Sequence, residues 1–158
     1  MPQQPIRWQQ PWPAARHPIS EGKLMSDHQQ ENDYLLSSLI AMAESGASMG
    51  ITLHINGTII TGNLISQKQY AEGVVNSLRE PMENAFKMHS DSILDAFSRV
   101  GEMPNGRPSE EGGPIQFEFI HLSEAKLFAG TNLIPTDDGV LWRGKLTSVD
   151  GFSFGRLS

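Results

Sequence analysis

An α+β fold, with an antiparallel or mixed sheet of about six strands and two or three helices packed on one face, is predicted by three features of the sequence. Two alternating apolar and polar runs, residues 49–65 and 140–157, are each divided by an Asx-Gly dipeptide of the kind that makes a tight two-residue turn. The stretch between them, from Ser66 to Phe97, carries its apolar residues at helical spacing. A further alternating run, Ile115 to Ala129, precedes the last one. Helices grouped between a leading hairpin and a trailing run of four strands argue for helices segregated to one side of a sheet. The chain has 158 residues, which is the size of a single domain and enough to bury roughly two-thirds of its unfolded surface without staples.

Residues 1–24 contain Pro2, Pro5, Pro11, Pro13 and Pro18 among glutamines and lack apolar periodicity. They are predicted to be a disordered arm, followed by one α+β domain over residues 25–158. Trp8 and Trp12 make the arm a candidate docking peptide. Met25 is an alternative translation start, in which case the arm is an upstream translated stretch. The start of the chain shows no continuous apolar segment of the signal-peptide kind, and no apolar run has the length of a transmembrane helix.

From Ser26 to Gly46 the pattern is helical. Tyr34, Leu35, Leu39, Met42 and Ala43 recur at three and four, Ser26 or Asn32 is placed to cap the start, and Gly46 sits where a left-handed C′ residue belongs. Met49 to Ile65 is a hairpin about Asn56-Gly57, whose register puts Met49, Ile51, Leu53, Ile55, Ile60 and Leu64 on one face. Ser66 and Gln69 then form a capping box for a helix with Tyr70, Val74 and Leu78 on its stripe. A change of phase near Pro81, continuing through Met82, Phe86, His89, Ile93 and Phe97, predicts a break or a second helix there.

Gly101 to Pro114 is a loop. Its Gly101-x-x-x-x-Gly106-Arg107 has the glycine spacing of a phosphate-binding loop, but Arg107 and Pro108 stand where lysine and a hydroxyl residue are needed, and no strand leads in. Ile115 to Leu122 reads as a strand with Ile115, Phe117 and Phe119 inward, and Ala125 to Ala129 as a short second one, followed by a loop from Thr131 to Gly139. The terminal run is predicted to be a hairpin with a type I′ turn at Asp150-Gly151, which requires positive φ at Gly151. That register places Lys145 opposite Arg156 and gathers Arg143, Lys145 and Arg156 on one face with Phe152 and Phe154, a basic cluster and candidate partner-binding surface.

No catalytic constellation emerges. Gly151-Phe152-Ser153-Phe154-Gly155 matches G-x-S-x-G, yet a nucleophile elbow needs a following helix and a downstream histidine, and only three residues remain. The histidines at 17, 28, 54, 89 and 121 show no H-x-x-x-H or H-x-H spacing, and there is no cysteine, so no metal or other cofactor is expected. Asp137-Asp138 and Glu110-Glu111 lack the ligand ladder of a calcium loop. Hydrophobic content is 38% and reaches about 47% with the 15 glycines included, a globular value. Net charge is −6, and residues 1–24 hold +2 from Arg7, Arg16 and Lys23 against Glu21, leaving −8 on the remainder. Such a body disfavours nucleic acid and anionic membrane surfaces as partners.

In FIHLSEAKLFAG (residues 119–130), VLWRGKLTSVDGFSFGRL (residues 140–157) and ITLHINGTIITGNLIS (residues 51–66) the chain resembles the gas vesicle accessory protein U family. The resemblance spans roughly residues 30–157. Trp142-Arg143-Gly144-Lys145 and Val149-Asp150-Gly151-Phe152 are its specific part; the Asn56-Gly57 hairpin is generic, and the arm departs from the pattern. The resemblance implies a cytoplasmic, gas vesicle-associated, non-enzymatic protein that assists shell assembly or controls vesicle association. Gas vesicle structural or other accessory proteins are the implied partners, with homo-oligomerisation a further expectation. The alternatives are a small acidic binding chaperone for another client and a metal-dependent hydrolase built on His54, His89 and His121. Deleting residues 1–24 is expected to leave folding intact: the thermal midpoint of the shortened chain should lie within about 4 °C of the full chain, and a larger drop would show a packed arm.

Overall fold

The Asn56-Gly57 dipeptide turns the chain as its composition requires, with φ 49° at Asn56 and 78° at Gly57, the left-handed pair of a type I′ turn. It joins β1 (Met49–Ile55) to β2 (Thr58–Ile65). Met49 then stands opposite Leu64 and Leu53 opposite Ile60, and the predicted apolar face lines the core, with Ile51, Leu53, Ile60 and Leu64 buried in it. The computed structural model describes residues 33–85, 90–108 and 114–158. The proline-rich arm with Trp8 and Trp12, His17, His28, His89 and the Glu110-Glu111 pair lie outside the described residues.

Helix α1 (Tyr34–Glu44) is capped by Asp33, the predicted caps Ser26 and Asn32 lying outside the described residues: one Asp33 carboxylate oxygen accepts from the backbone N–H of Leu35 at 2.8 Å and of Leu36 at 3.1 Å. It closes in a Schellman motif, the N–H of Gly46 on the Ala43 carbonyl and that of Ala47 on the Met42 carbonyl. The buried stripe is Leu36, Leu39, Ile40 and Ala43, whereas Tyr34, Leu35 and Met42 are exposed. Both sets follow helical spacing through Leu39, and contact with the sheet selects between them. Helix α2 (Gln67–Ala85) starts from the predicted capping box, Ser66 N–H on the Gln69 side chain and Gln69 N–H on the Ser66 hydroxyl. It runs through Pro81 without the predicted break. Ser77, whose carbonyl loses its i+4 donor at the proline, lies on the exposed side, so solvent can satisfy it. Helix α3 (Ser90–Glu102) packs against α2, with Leu94 buried and Gly101 close to Ala71.

All strand pairs are antiparallel, in the order β4 (Asn132–Ile134), β3 (Phe119–Ala129), β2, β1, β6 (Gly151–Phe154), with β5 (Val140–Lys145) also beside β3. Strand β3 (Phe119–Ala129) is one element, not the two predicted. A register shift at Ser123-Glu124, with φ 49° at Glu124, is a bulge that changes the phase of the alternation, so that a single strand reads as two. The inward side chains are Ile120, Leu122 and Ala125; Phe117 is buried ahead of the strand, Ile115 is exposed, and Phe119 points to the opposite face from Ile120. Strand β4 (Asn132–Ile134) lies within the stretch predicted as loop.

The α+β class holds, but the helices divide between the two faces. Helix α1 contributes Leu36, Leu39, Ile40 and Ala43 to the cluster on the Ile51, Leu53 and Leu122 face. Helix α2 lies on the other, where Tyr70 meets His121 with ring centroids 4.9 Å apart and Gly73 lies against Leu141.

The largest departure is at the C-terminus. Strands β5 (Val140–Lys145) and β6 (Gly151–Phe154) do not pair with each other. β5 pairs with β3, Arg143 opposite His121 and Lys145 opposite Phe119. β6 pairs with β1 at the far edge, Phe154 opposite Ile51 and Phe152 opposite Leu53. Between them a 3₁₀ turn at Leu146–Ser148 crosses the α1 face, where Leu146 is 3% exposed and Val149 packs on the cluster. Asp150 is occupied elsewhere: its carboxylate accepts from the backbone N–H of Asn56, and its own N–H bonds the His54 carbonyl. Gly151 is accordingly not among the glycines of positive φ. After Gly155 the tail crosses the α2 face of β1 and β2. There the Thr52 hydroxyl donates to the Gly155 carbonyl at 2.9 Å and the Leu157 N–H donates to the Thr61 hydroxyl at 2.9 Å, partnering two buried side chains.

These geometries separate the two Asx-Gly sites in a measurable way. Gly57→Val should lower stability by about 1–3 kcal/mol, because a β-branched residue resists φ of that sign. Gly151→Val should cost less than about 0.5 kcal/mol, since the added side chain meets open space at an ordinary φ. Urea denaturation of the two variants checks this; equal losses would contradict it.

Candidate functional site

The three cations predicted to form one basic face occupy two places. Alternation along β5 puts Arg143 and Lys145 on the α2 face of the sheet, on its β5 edge. Arg156 follows β6 and reaches the β3 bulge by crossing over Gly50, where its guanidinium pairs with the Glu124 carboxylate. Lys145 and Arg156 are therefore not opposite each other, and Phe152 and Phe154 lie on the α1 face, away from Arg143. The predicted cluster fails because its register came from a hairpin that does not form. Of the turn residues singled out, Asn56 and Gly57 make their turn and Asp150 ties the crossover to it; Gly151 starts β6.

What remains is a small site on β3 and β5. His121 is 1% exposed beneath Tyr70. The Arg143 guanidinium lies 3.5 Å from the centroid of the Phe119 ring, a cation–π geometry, and its Nε donates to His121 Nε2 at 3.2 Å. Arginine has only donors, so Nε2 must be the acceptor, which places the imidazole proton on Nδ1. Nδ1 is buried without a hydrogen-bond partner among the described residues. Burial, and then the charge of Arg143, lower the His121 pKa from 6.5 to about 4, so the imidazole is neutral at pH 7 and Arg143 supplies the only charge of the pair. Fixed by ring and imidazole, the guanidinium still has its terminal nitrogens free of any carboxylate among the described residues, and Lys145 beside it is exposed and, among the same residues, in no ion pair. Chemically this is a small, pre-oriented set of cationic donors suited to carboxylates on another molecule.

Trp142-Arg143-Gly144-Lys145 makes sense in this setting. Trp142 and Gly144 face the core side, and the indole lies across Gly144 so closely that any Cβ there would collide with it. The same four residues thus seal the core with one face and present cations with the other.

A second polar group escaped sequence reasoning. Glu44, at the end of α1, accepts from the Gln67 N–H and from the Asn105 side chain; Asn105 also donates to the Phe119 carbonyl at 3.0 Å, and Gln67 donates to the carbonyls of Val100 and Met103. This hub joins α1, α2, α3 and β3. It also accounts for the loop that mimics a phosphate cradle: Gly101 packs on Ala71, and Arg107 bridges to Gln116 beside Gly106. The only hint in the sequence is Gln67 directly after a capping serine.

The histidines do not converge. His54 is exposed at the turn end of β1, whereas His121 lies at the opposite end of the neighbouring strands, across from Ile65. Among the described residues no group of three or more His, Asp or Glu side chains gathers to hold a metal ion, and no described helix is long and apolar enough to cross a membrane.

His121 gives a signed pH prediction. Its folded pKa is depressed, so its contribution is present above about pH 6.5 and is lost as pH falls toward about 4. The loss is on the order of 3 kcal/mol. His121→Gln, which keeps an acceptor for Arg143, should flatten the stability profile between those pH values in denaturant titrations; an unchanged slope would contradict the assignment.

Comparison with known proteins follows the same boundaries as the folded part. The family model described as gas vesicle protein GvpU-like matches residues 33–157. No curated protein and no solved structure matches the chain.

Proposed function

Because the chain belongs to the gas vesicle protein GvpU-like family, we propose that it is a non-enzymatic accessory protein of the cytoplasm that acts by contact with gas vesicle structural or accessory proteins. The contact assists shell assembly or controls how finished vesicles associate. The observation that carries this reading, beyond family membership, is the pair Arg143 and Lys145. On a chain of net charge −6 these two cations share one strand face with no carboxylate partner among the described residues, and Arg143 is held in place by Phe119 and His121. Positioned cations without a carboxylate of their own favour contact with carboxylates presented locally by a partner protein.

Arg156 does not belong to this surface, since its charge is spent on Glu124. The test follows from that division. Arg143→Ser/Lys145→Ser should weaken co-sedimentation with purified gas vesicles severalfold, and wild-type binding should fade with added salt. Arg156→Ser should bind as wild type. Circular dichroism melts establish that each variant is folded. Undiminished binding by the double variant at every salt concentration would remove Arg143 and Lys145 from the contact.

A further inference from the structure

The two edges of the sheet are guarded unequally. The edge formed by β5 and β4 carries Arg143 and Lys145, and Pro135 follows β4 directly, the charge and proline by which proteins keep an edge strand from pairing. The other edge is β6, Gly151-Phe152-Ser153-Phe154, which contains no charge and no proline. The charges that flank it are engaged internally, Asp150 on the Asn56 N–H and Arg156 on Glu124. Space is open around both bounding glycines, Gly151 and Gly155. Phe154 is 66% exposed and its ring meets that of Phe152 at 5.9 Å, edge to face.

Among the described residues no strand lies on the outer side of β6, whose backbone is open in a definite pattern. The Gly155 N–H points inward to the Gly50 carbonyl, so the carbonyl of Phe154, on the same trans peptide, points outward. By alternation the N–H and C=O of Phe152 and Phe154 face away from β1, while those of Ser153 face it.

We propose that β6 is a self-association surface, at which two copies of the chain pair antiparallel across a two-fold axis through Ser153. In that register Phe152 of one copy exchanges backbone hydrogen bonds with Phe154 of the other, and Phe154 with Phe152, giving four bonds; Ser153 faces its own copy at the axis. Two-fold pairing is isologous, so a patch must complement itself, and β6 does so because no charged residue falls at a paired position. A like pairing of β5 would bring the cations of two copies together. The four phenylalanines of the joined strands lie on the α1 side of one continuous sheet, where cross-strand aromatic neighbours stabilise the pairing. This inference rests on the edge geometry and is independent of the gas vesicle reading.

Sedimentation equilibrium of the full chain tests it. The wild type should show a concentration-dependent dimer. Ser153→Arg and Ser153→Glu each set like charges against each other at the axis and should each weaken self-association at least severalfold, while an equimolar mixture of the two should restore a heterodimer. Ser153 is exposed, so both variants should melt as the wild type does. Phe154→Lys, which removes one aromatic of each pair, should also give monomer. A wild type that stays monomeric, dimers of Ser153→Arg as tight as wild type, or a mixture that fails to associate would each overturn the proposal, the first of these leaving the edge to a strand from a different protein.

Discussion

The pairing of β6 with the outer edge of β1 determines most of what is unusual in this molecule. Strand β1 comes early in the chain, and its outer N–H and C=O groups, those of Gly50, Thr52 and His54, need partners beside the buried Ile51 and Leu53. Residues about one hundred positions later supply them. Closing so long a loop costs only modestly more entropy than closing a shorter one, and the gain is a complete ladder over the centre of the core. Once β6 is committed there, β5 must find its partner on β3 at the other side, and the chain between them must cross the sheet. Leu146 and Val149 make that crossing part of the core.

The consequences extend to polar chemistry. The strand leads into a tail whose backbone reaches Thr52 and Thr61, hydroxyls that the sheet buries on its second face. The same path carries Arg156 to Glu124 and so removes it from the other cations. Arg143 and Lys145 stay on the β5 edge beside a histidine that burial keeps neutral. The sheet thus has one edge marked by charge and one by its absence, a polarity created by topology on a chain whose composition is simply acidic.

Two faces covered by different helices need a joint. Glu44, Gln67 and Asn105 provide it: the Glu44 side chain at the end of α1 accepts from the first N–H of α2 and from Asn105, while Gln67 and Asn105 donate to backbone carbonyls at the end of α3 and the start of β3. The three side chains come from separate parts of the chain, and each is an unremarkable polar residue in its own local context.

Local rules sufficed where neighbours in sequence are neighbours in space. The type I′ turn at Asn56-Gly57, the register of β1 and β2, the capping box of Ser66 and Gln69, the closure of α1 at Gly46 and the α+β class were all legible, since each depends on backbone preferences within a few residues. Family membership was legible too, in the strands of residues 51–66 and 119–157. Tertiary structure alone decided the partner of β6, the distribution of helices over both faces, the choice of Leu36 and Ile40 over Leu35 and Met42, and the separation of Arg156 from Arg143 and Lys145. Asp150-Gly151 shows the reason. Locally it is as good a turn as Asn56-Gly57, but a hairpin there would bury neither Leu146 nor the edge of β1. The free energy of completing a distant sheet edge and its core exceeds the small local preference of a dipeptide, and alternation in sequence does not name the strand it will meet.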